Sequence, residues 1–348
     1  MQAGAISFHR ITTGDGLSHG TVLDACQDPK GRMWFATRDG LNSFDGYDVR
    51  IYRHSDSDSG TLADNSVRGV MTDRDGILWV TSAWLSRYDD RTGKFENFIT
   101  PSHRHIQCIS DFTSGKLLVA CSDSLYCFDK DRMCFDSSVL PSRMRTLDVR
   151  AMCLLSDEIL MGTKDGRLYR WNIATNDINI LPLKSDNILI KDIICDRDEI
   201  WIATEGNGIF HSDLSFSSIE HFTAGHSGLM SNYVRSLCHD TQGRLWIGTN
   251  AGLQIYDRGS FTSYVHERTN PFSISDNSIR TIYRDHQGGM WVGTYNDALN
   301  WWHPYQYEFS YMYPSYLNPE ITGDKISCIT GDSEGFLWMG IGWDGVMK

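Results

Sequence analysis

One phrase recurs along this chain, and it constrains the fold more than any other feature. It reads GRLWIGTNAGLQIYD from Gly243, and close copies begin at Gly31 and Gly288. A period of this kind indicates a repeat architecture. Alignment on the Trp of the phrase gives eight anchors at intervals of 39 to 47 residues: Trp34, Trp79, Leu118, Leu160, Trp201, Trp246, Trp291 and Trp338.

Each unit reads as four short strands separated by turn residues. The unit that begins at Tyr233 has a first strand ending in a turn (YVRSLCHDTQG), the Trp strand (LWIGT), a third strand (LQIYD) and a fourth (FTSYVH). Gly and Asp supply the turn chemistry, and β-branched and aromatic residues alternate within the strands. No long segment has the 3.6-residue period of a helical solenoid. The pattern predicts an all-β fold, a β-propeller of four-stranded blades.

The number of blades depends on where the N-terminal segment AISFHRIT pairs. Propellers commonly close when an N-terminal strand completes the last blade and removes an open sheet edge. If it completes the blade of Trp291, residues 4–304 form a seven-bladed propeller and residues 305–348 begin a second, truncated one. If it joins the blade of Trp338, residues 1–348 form a single eight-bladed propeller. We favour seven blades.

Composition excludes some classes of function. The formal net charge is -12, and acidic and basic residues are interspersed, which argues against contact with nucleic acid. No CxxC pair or Cys/His cluster has metal spacing. No segment is long and apolar enough for a membrane helix, and the start has no signal-peptide run. The chain is therefore either cytoplasmic or separated from a leader, and the residues alone do not decide.

No catalytic motif emerges from the repeats. The recurring acidic residues occupy one turn position in five copies, so a turn role is favoured over paired catalytic carboxylates. No GxSxG, HExxH or P-loop pattern is present. The sequence predicts no enzyme activity in this region, no cofactor and no metal site. The five acidic turn residues are Asp28, Asp73, Asp240, Asp285 and Asp332.

A first set of candidate binding residues follows the leading β-branched residue of each inner strand. Five of its seven members are basic in an acidic protein, and inner strands surround the central channel of a propeller. They could ring the channel mouth and attract a carboxylate or sulfate. The alternative, that each Arg pairs with a local carboxylate or carbonyl, stays open. The set is Leu23, Arg68, Gln107, Arg150, Lys191, Arg235 and Arg280.

A second set lies in the loop after the Trp strand, which we expect on the same face as the first set. Repeat proteins vary such loops over a constant scaffold. Trp84 stands where other copies have Gly, so it either stacks on a sugar or packs on a neighbouring loop. Tyr295 and Asn296 offer the aromatic and hydrogen-bonding groups that carbohydrate sites use. The predicted ligand-binding residues of this set are Arg38, Trp84, Asn207, Asn250, Tyr295 and Asn296, and Asp39, Lys164, Asp165, Glu205 and Asp297 accompany them.

An aromatic run follows the last of these units, near the expected junction between propellers. We interpret most of it as packing between domains, with a ligand cleft between propellers as the alternative. The run contains Trp301, Trp302, Tyr305, Tyr307, Tyr311 and Tyr313.

The repeats resemble a known family. GLSHGTVLDACQDPKGRMWFATRDGLNSFDGYDVRIYRH and GLMSNYVRSLCHDTQGRLWIGTNAGLQIYD look like the two-component-regulator propeller repeat of hybrid two-component systems in Bacteroidetes. The repeated combination of L-S/A-x-N-x-V, D-x-x-G-x-L/M-W and G-L carries the likeness over almost the whole chain. The copies at Leu118 and Leu160 depart from it.

The resemblance implies a role in signalling. It implies the N-terminal propeller of a sensor on the periplasmic side of the inner membrane, which binds a glycan-derived oligosaccharide, neutral or anionic. A downstream histidine kinase would then control polysaccharide-utilisation genes. The implied partners are a second propeller of the same chain and a second copy in a homodimer. Two other classes stay open: a protein-interaction platform without a small ligand, and a propeller lyase or hydrolase.

Overall fold

The computed structural model describes residues 6–183, 188–196, 198–305, 326–334, 336–341 and 345–347. Within these ranges the chain forms strands, and its helical segments are the short 3₁₀ turns Thr13–Asp15, Ser137–Val139 and Ser142–Met144. None of the described helical segments has the length and apolarity needed to cross a membrane. The predicted all-β class is confirmed.

The described strands form antiparallel sheets in chain order, and seven of these sheets have four strands. The first strand of the chain, β1, spans His9–Thr12. Blade 1 consists of β2 Val22–Gln27, β3 Met33–Thr37, β4 Gly40–Phe44 and β5 Val49–Tyr52. Blade 2 consists of β6 Gly69–Thr72, β7 Leu78–Thr81, β8 Leu85–Asp89 and β9 Lys94–Phe98. Blade 3 consists of β10 Ile106–Asp111, β11 Lys116–Cys121, β12 Ser124–Asp129 and β13 Cys134–Phe135.

Blades 4 to 7 follow the same pattern, and β1 supplies the fourth strand of blade 7. Blade 4 consists of β14 Val149–Leu154, β15 Glu158–Thr163, β16 Leu168–Asn172 and β17 Ile178–Leu181, and blade 5 consists of β18 Ile190–Asp196, β19 Glu199–Thr204, β20 Ile209–Asp213 and β21 Ile219–Phe222. Blade 6 consists of β22 Val234–His239, β23 Leu245–Thr249, β24 Leu253–Asp257 and β25 Ser260–Tyr264. Blade 7 consists of β26 Ile279–Arg284, β27 Met290–Thr294 and β28 Ala298–Trp302, together with β1.

The seven blades close into a circle through their first strands. Each first strand contacts the first strand of the next blade, and β26 contacts β2. Strand β1 pairs with β28 in the register His9 to Trp301. This is the pairing that the seven-bladed alternative requires. An eighth described sheet has three strands, β29 Ile326–Gly331, β30 Leu337–Ile341 and β31 Gly345–Met347. The domain boundaries at 4–304 and 305–348 stay predictions.

The anchor residues of the repeat fill the space between neighbouring blades. Trp34, Trp79 and Trp246 are fully buried, and so is Leu118, which replaces Trp in blade 3. Trp34 packs in one cluster with residues of blades 1 and 2. The interpretation of these side chains as core rather than site is confirmed.

The Gly of the LWIGT phrase is required by close packing between blades. A Cβ atom at Gly248 would lie 2.6 Å from Cγ2 of Ile279, the leading β-branched residue of the next blade. A Cβ atom at Gly162 would lie 2.3 Å from Cγ2 of Ile190 for the same reason. Small residues at this position therefore let adjacent first and second strands approach each other closely.

The aromatic run at the expected domain junction divides in the structure. Trp302 is buried against Trp246, with 5.4 Å between ring centroids, and Trp301 stacks on His9 at 4.8 Å. Both side chains belong to blade 7, because β28 carries them into contact with β1 and blade 6. The interdomain interpretation is therefore wrong for these two residues. Tyr305 is exposed. Tyr307, Tyr311 and Tyr313 lie outside the described residues.

Candidate functional site

The two groups of loops predicted to share one face contact each other directly. The backbone N–H of Lys164, in the loop between β15 and β16, donates to the carbonyl of Asp148, which precedes β14. Tyr295 donates in the same way to Ser278 at 2.8 Å, and Asn250 to Tyr233 at 3.2 Å. We call this side of the propeller the loop face.

The first set of predicted residues occupies β-bulges on the loop face. The pairing of first and second strands shifts by one residue at Leu23, Gln107, Arg150, Lys191, Arg235 and Arg280. A bulge leaves one residue unpaired in the ladder and redirects its side chain. The sequence position that is basic in most blades is therefore a position whose side chain is free to serve something other than the sheet. In blade 2 the equivalent residue, Arg68, lies directly before β6.

Four of these basic residues, in blades 4 to 7, form one electrostatic group. We call Arg150, Lys191, Arg235 and Arg280 the cationic arc. Burial lowers the pKa of Lys191, and the positive charges of the three arginines lower it further, while the Glu205 carboxylate opposes them. No ion pair involves Lys191, Arg235 or Arg280 within the described residues. The arc therefore concentrates positive charge on the loop face.

Tyr295 ends the arc and joins it to Arg38 of blade 1. The guanidinium carbon of Arg280 lies 4.5 Å from the Tyr295 ring centroid, and that of Arg38 lies 4.7 Å from it. Arg38 Nη2 also donates to the Tyr295 hydroxyl at 3.1 Å. Burial is the main reason that the pKa of Arg280 is lowered, followed by the charge of Arg235. Tyr295 thus holds two arginine side chains through cation–π contacts.

Two guanidinium groups of the arc keep donors without acceptors. Arg235 Nη1 donates to Ser278 Oγ at 2.9 Å. The buried Nε atoms of Arg235 and Arg280 have no hydrogen-bond partner among the described residues. Buried charged donors without a partner are costly and uncommon in folded proteins. Such donors are typical of sites that bind an acceptor from outside the chain.

Arg150 and Arg68 differ from the rest of the set. Arg150 is paired locally, because its Nε and Nη2 atoms donate to the Asp148 carboxylate at 2.6 and 3.0 Å and its Nη1 atom to Gln107 at 2.7 Å. The structural interpretation of the basic set therefore holds for Arg150. Arg68 is exposed and, unlike the members of the arc, lies outside a bulge, directly before β6.

The remaining predicted residues lie in the loops between second and third strands, and their recorded contacts are with other loop residues or the fourth strand. Asn250 is exposed, and its side-chain oxygen accepts from Ser231 Oγ at 2.6 Å. Asn296 Nδ2 donates to Asp276 at 3.1 Å. The Asn207 carbonyl accepts from His221 at 2.7 Å. Trp84 is half-buried, and its carbonyl accepts from the N–H of Ser82.

Sequence reasoning missed Tyr233, which is 48% exposed on the loop face. It directly precedes the leading Val of β22, forms an isolated bridge with Glu205 and accepts the N–H of Asn250. The signal was present in the alignment, where this position varies more than its neighbours. The other blades have Thr21, Ser66, His105, Asp148, Leu189 and Ser278 there.

Sequence reasoning also missed two acidic residues directly after the bulge. Asp24 Oδ2 accepts the N–H of Val70 in blade 2 at 3.0 Å, and Asp192 Oδ2 accepts that of Leu237 in blade 6 at 2.8 Å. Burial raises the pKa of each carboxyl to about 6, although these hydrogen bonds act in the opposite direction. Both side chains connect one first strand to the next.

An open cavity of about 610 Å³ lies on the loop face between blades 3 and 4. Its wall includes Lys164 and Asp165, two members of the predicted tip set, together with Asp123, Asp148 and Tyr169. Asp148 also pairs with Arg150, so the cavity and the cationic arc share a residue. Another open cavity, of about 420 Å³, is lined by turns at the opposite ends of the strands, including Lys30 and Asp75.

These features define the chain as a β-propeller with its variable polar loops and a group of cations on one face. Its sequence carries the two-component regulator propeller repeat, because residues 16–39, 228–251 and 273–296 match the family model of that description. The resemblance seen in the sequence is thereby confirmed. Each matched segment runs through one bulge residue and ends at the tip of the following loop.

Known proteins similar to this chain include a histidine kinase, the extracellular domain of a hybrid two component system and a lyase. A 56-residue stretch is 46% identical to histidine kinase P4 of Formosa agariphila and covers 16% of this chain and 4% of the kinase. The extracellular domain of a hybrid two component system from B. thetaiotaomicron superposes with a TM-score of 0.72 at 22% identity, over 99% of this chain and 49% of that one. This chain therefore spans about half the length of that domain.

A virginiamycin B lyase from Staphylococcus aureus superposes with a TM-score of 0.67 at 12% identity, over 86% of this chain and 99% of the lyase. At this identity the likeness concerns the fold alone.

Proposed function

We propose that this chain is the extracytoplasmic ligand-sensing region of a hybrid two-component regulator. It binds a glycan-derived oligosaccharide on the loop face and signals to a downstream histidine kinase that controls polysaccharide-utilisation genes. The repeat and the extracellular domain that superposes on this chain support the sensor role and its extracytoplasmic location. The observation that supports binding of a ligand is the cavity between blades 3 and 4.

This cavity has the size and chemistry of a small carbohydrate site. Ligand pockets commonly enclose about 300 to 1,000 Å³, and a few polar groups in their walls orient the ligand. Here the cavity is lined by the acidic residues Asp123 and Asp165, the basic residue Lys164 and the aromatic residue Tyr169. Carboxylates accept from sugar hydroxyls and ammonium groups donate to them, so one or two sugar units suit the site.

Tyr233 extends the proposed binding surface toward the cationic arc. Its ring is about half exposed, and the polar side chains of Ser231 and Asn250 lie beside it. An exposed tyrosine supplies a flat apolar ring with a hydroxyl group at its edge. We propose that a sugar ring of a longer ligand stacks on it.

Binding of the ligand signals only if it favours one arrangement of the full-length protein over another. A ligand shifts such an equilibrium by its difference in affinity for the two arrangements. The second propeller of the same chain and a second copy in a homodimer are the proposed partners of this change. The loop face is where we expect those arrangements to differ.

Calorimetric titration of neutral and acidic oligosaccharides tests the proposal. We expect binding to the chain, and we expect Asp165→Ala and Lys164→Ala to weaken it about tenfold each because each loses a hydrogen bond to the ligand. Lys30→Ala, in the cavity at the opposite strand ends, is the matched control and should leave affinity unchanged. If no oligosaccharide binds, either to this chain or to the full-length extracytoplasmic region, the interaction-platform alternative replaces the sensor.

A further inference from the structure

We infer that the ligand of this propeller carries an anionic group, a sugar carboxylate or a sulfate ester, and that Lys191, Arg235 and Arg280 of the cationic arc bind it. The inference rests on the proposed function and adds the chemical class of the ligand. It also assigns a second part of the site, next to the cavity.

Charge is the first argument. The protein has a net charge of -12, yet three adjacent blades each place a cation at the same bulge position. None of the three forms an ion pair among the described residues, and Glu205 is the carboxylate whose charge reaches both Lys191 and Arg280. Cations that repel one another and have no ion-pair partner among the described residues favour the approach of an anion.

Unsatisfied donors are the second argument. If the arginines served the fold alone, their donors would be used within the chain, as those of Arg150 are by Asp148 and Gln107. Arg235 and Arg280 instead retain buried Nε–H groups for which the described part of the chain offers no acceptor. Carboxylate and sulfate oxygens accept from several guanidinium donors at once and form the stronger, charge-assisted class of hydrogen bond.

Position is the third argument. Tyr295 holds Arg280 from one side, and Ser278 holds the Nη1 atom of Arg235, so both guanidinium groups are preorganised before any ligand arrives. Asp148 lies on the wall of the cavity and also pairs with Arg150 at the other end of the arc. A ligand with hydroxyl groups in the cavity can therefore extend its charged group along the arc.

Three probes at matched ionic strength test the inference: sodium glucuronate, sodium sulfate and sodium chloride, with a neutral oligosaccharide titrated in parallel. We expect glucuronate or sulfate to bind in preference to chloride, and the difference between them identifies the carboxylate or the sulfate ester. Arg235→Ala and Arg280→Ala should each weaken the affinity for the preferred anion about tenfold or more, because each removes charged hydrogen bonds to it. Raising the salt concentration should weaken binding further.

Arg68→Ala is the matched control, since Arg68 occupies the same repeat position in blade 2 but is exposed and lies outside a bulge. The anion affinity of this variant should stay within about twofold of the wild type. Without an anion, Arg280→Ala should melt close to the wild type, because the repulsion from Arg235 and Arg38 that it relieves offsets the cation–π contact with Tyr295 that it loses. Arg280→Gln, which keeps a polar side chain, should also lose the anion and provides a second folded variant.

The outcomes separate the two proposals. Equal binding of all three salts, or equal losses in the Arg68 and Arg280 variants, overturns the inference. Anion binding that persists while Lys164→Ala and Asp165→Ala leave oligosaccharide affinity unchanged instead overturns the cavity part of the proposed function. A large drop in the melting temperature of both Arg280 variants shows that the arginine serves the fold.

Discussion

At the scale of single residues, the acidic turn residue of the repeat has a second role beside the turn. Five copies accept the indole N–H of the anchor Trp at 2.7 to 3.0 Å, for example Asp240 from Trp246. In the two copies where Leu replaces Trp, the residue six positions earlier is Phe112 or Leu154 instead of Asp. The exception is Trp201, which has Cys195 at that position and donates its indole N–H to Glu199 at 3.4 Å instead.

We expect Asp240→Ala to lower the free energy of unfolding by about 2 to 4 kcal/mol. The carboxylate is buried, accepts two turn amides and the Trp246 indole, and pairs with Arg244 at 2.6 Å, so its loss leaves all of these donors unsatisfied. Chemical denaturation measures the effect. Asp45→Ala is the control, because Asp45 accepts two turn amides but no indole. An equal loss in both variants would show that only the turn matters.

The turn role of these acids could be predicted from sequence, since Asp beside Gly is tight-turn chemistry wherever it occurs. The indole contact could not, because it depends on the orientation of two side chains on different elements. The same limit applies to Arg150 and Arg235, which are equivalent in sequence. Only the neighbouring side chains, Asp148 for one and Ser278 for the other, determine whether the guanidinium group is satisfied within the chain.

At the scale of elements, the first strands are joined across blades by side chains as well as by packing. The residue after the bulge accepts a backbone N–H from the next first strand in several blades. Asp24 and Asp192 do so with carboxylates, and Ser236 does so with its hydroxyl group, which accepts from Ile282 at 3.0 Å. The bulge thus turns one side chain toward the loop face and the next toward the neighbouring blade.

The raised pKa values of Asp24 and Asp192 predict a pH dependence of stability. A carboxyl with a pKa of about 6 in the folded state and about 4 in the unfolded state binds its proton more tightly when folded. Its contribution to stability therefore falls as the pH rises from about 4 to 6, and the loss is complete above that range. We expect the Asp24→Asn and Asp192→Asn double variant to flatten the dependence of melting temperature on pH between 4 and 7.

Ser236→Ala provides the control for this prediction. It breaks a bridging hydrogen bond of the same kind without removing a titrating group, so its destabilisation should be equal across the pH range. A double variant with the same pH profile as the wild type would show that the two carboxyls stay ionised in the folded protein.

At the scale of the whole molecule, the repeat predicts the architecture but not the strand that closes the propeller. The period, the turns and the alternation of side chains predict four-stranded sheets, because every copy shows the same pattern. The sequence offered two partners for the N-terminal strand, and propensity did not distinguish them. The pairing of β1 with β28, and the packing of Phe8 next to it, distinguish them.

Phe8 therefore tests how much this closure contributes to stability. It is buried and meets Trp246 and Tyr264 edge to face at 6.3 and 6.2 Å. We expect Phe8→Ala to lower the free energy of unfolding by about 3 to 5 kcal/mol, and Phe8→Leu by less than about 2 kcal/mol because most of the buried volume remains. Denaturant titration compares the two. A small loss of unfolding free energy in Phe8→Ala would mean that the circle of blades is stable without the packing of its N-terminal segment.

The pairing between β1 and β28 also determines the order of events while the chain is being made. Arg10 donates to the carbonyl of Ser273, 263 residues further along the chain, and β1 pairs with a strand made later still. During synthesis, β1 therefore has no partner until nearly the whole propeller has been made. In that interval, β28 of a neighbouring chain can pair with it instead.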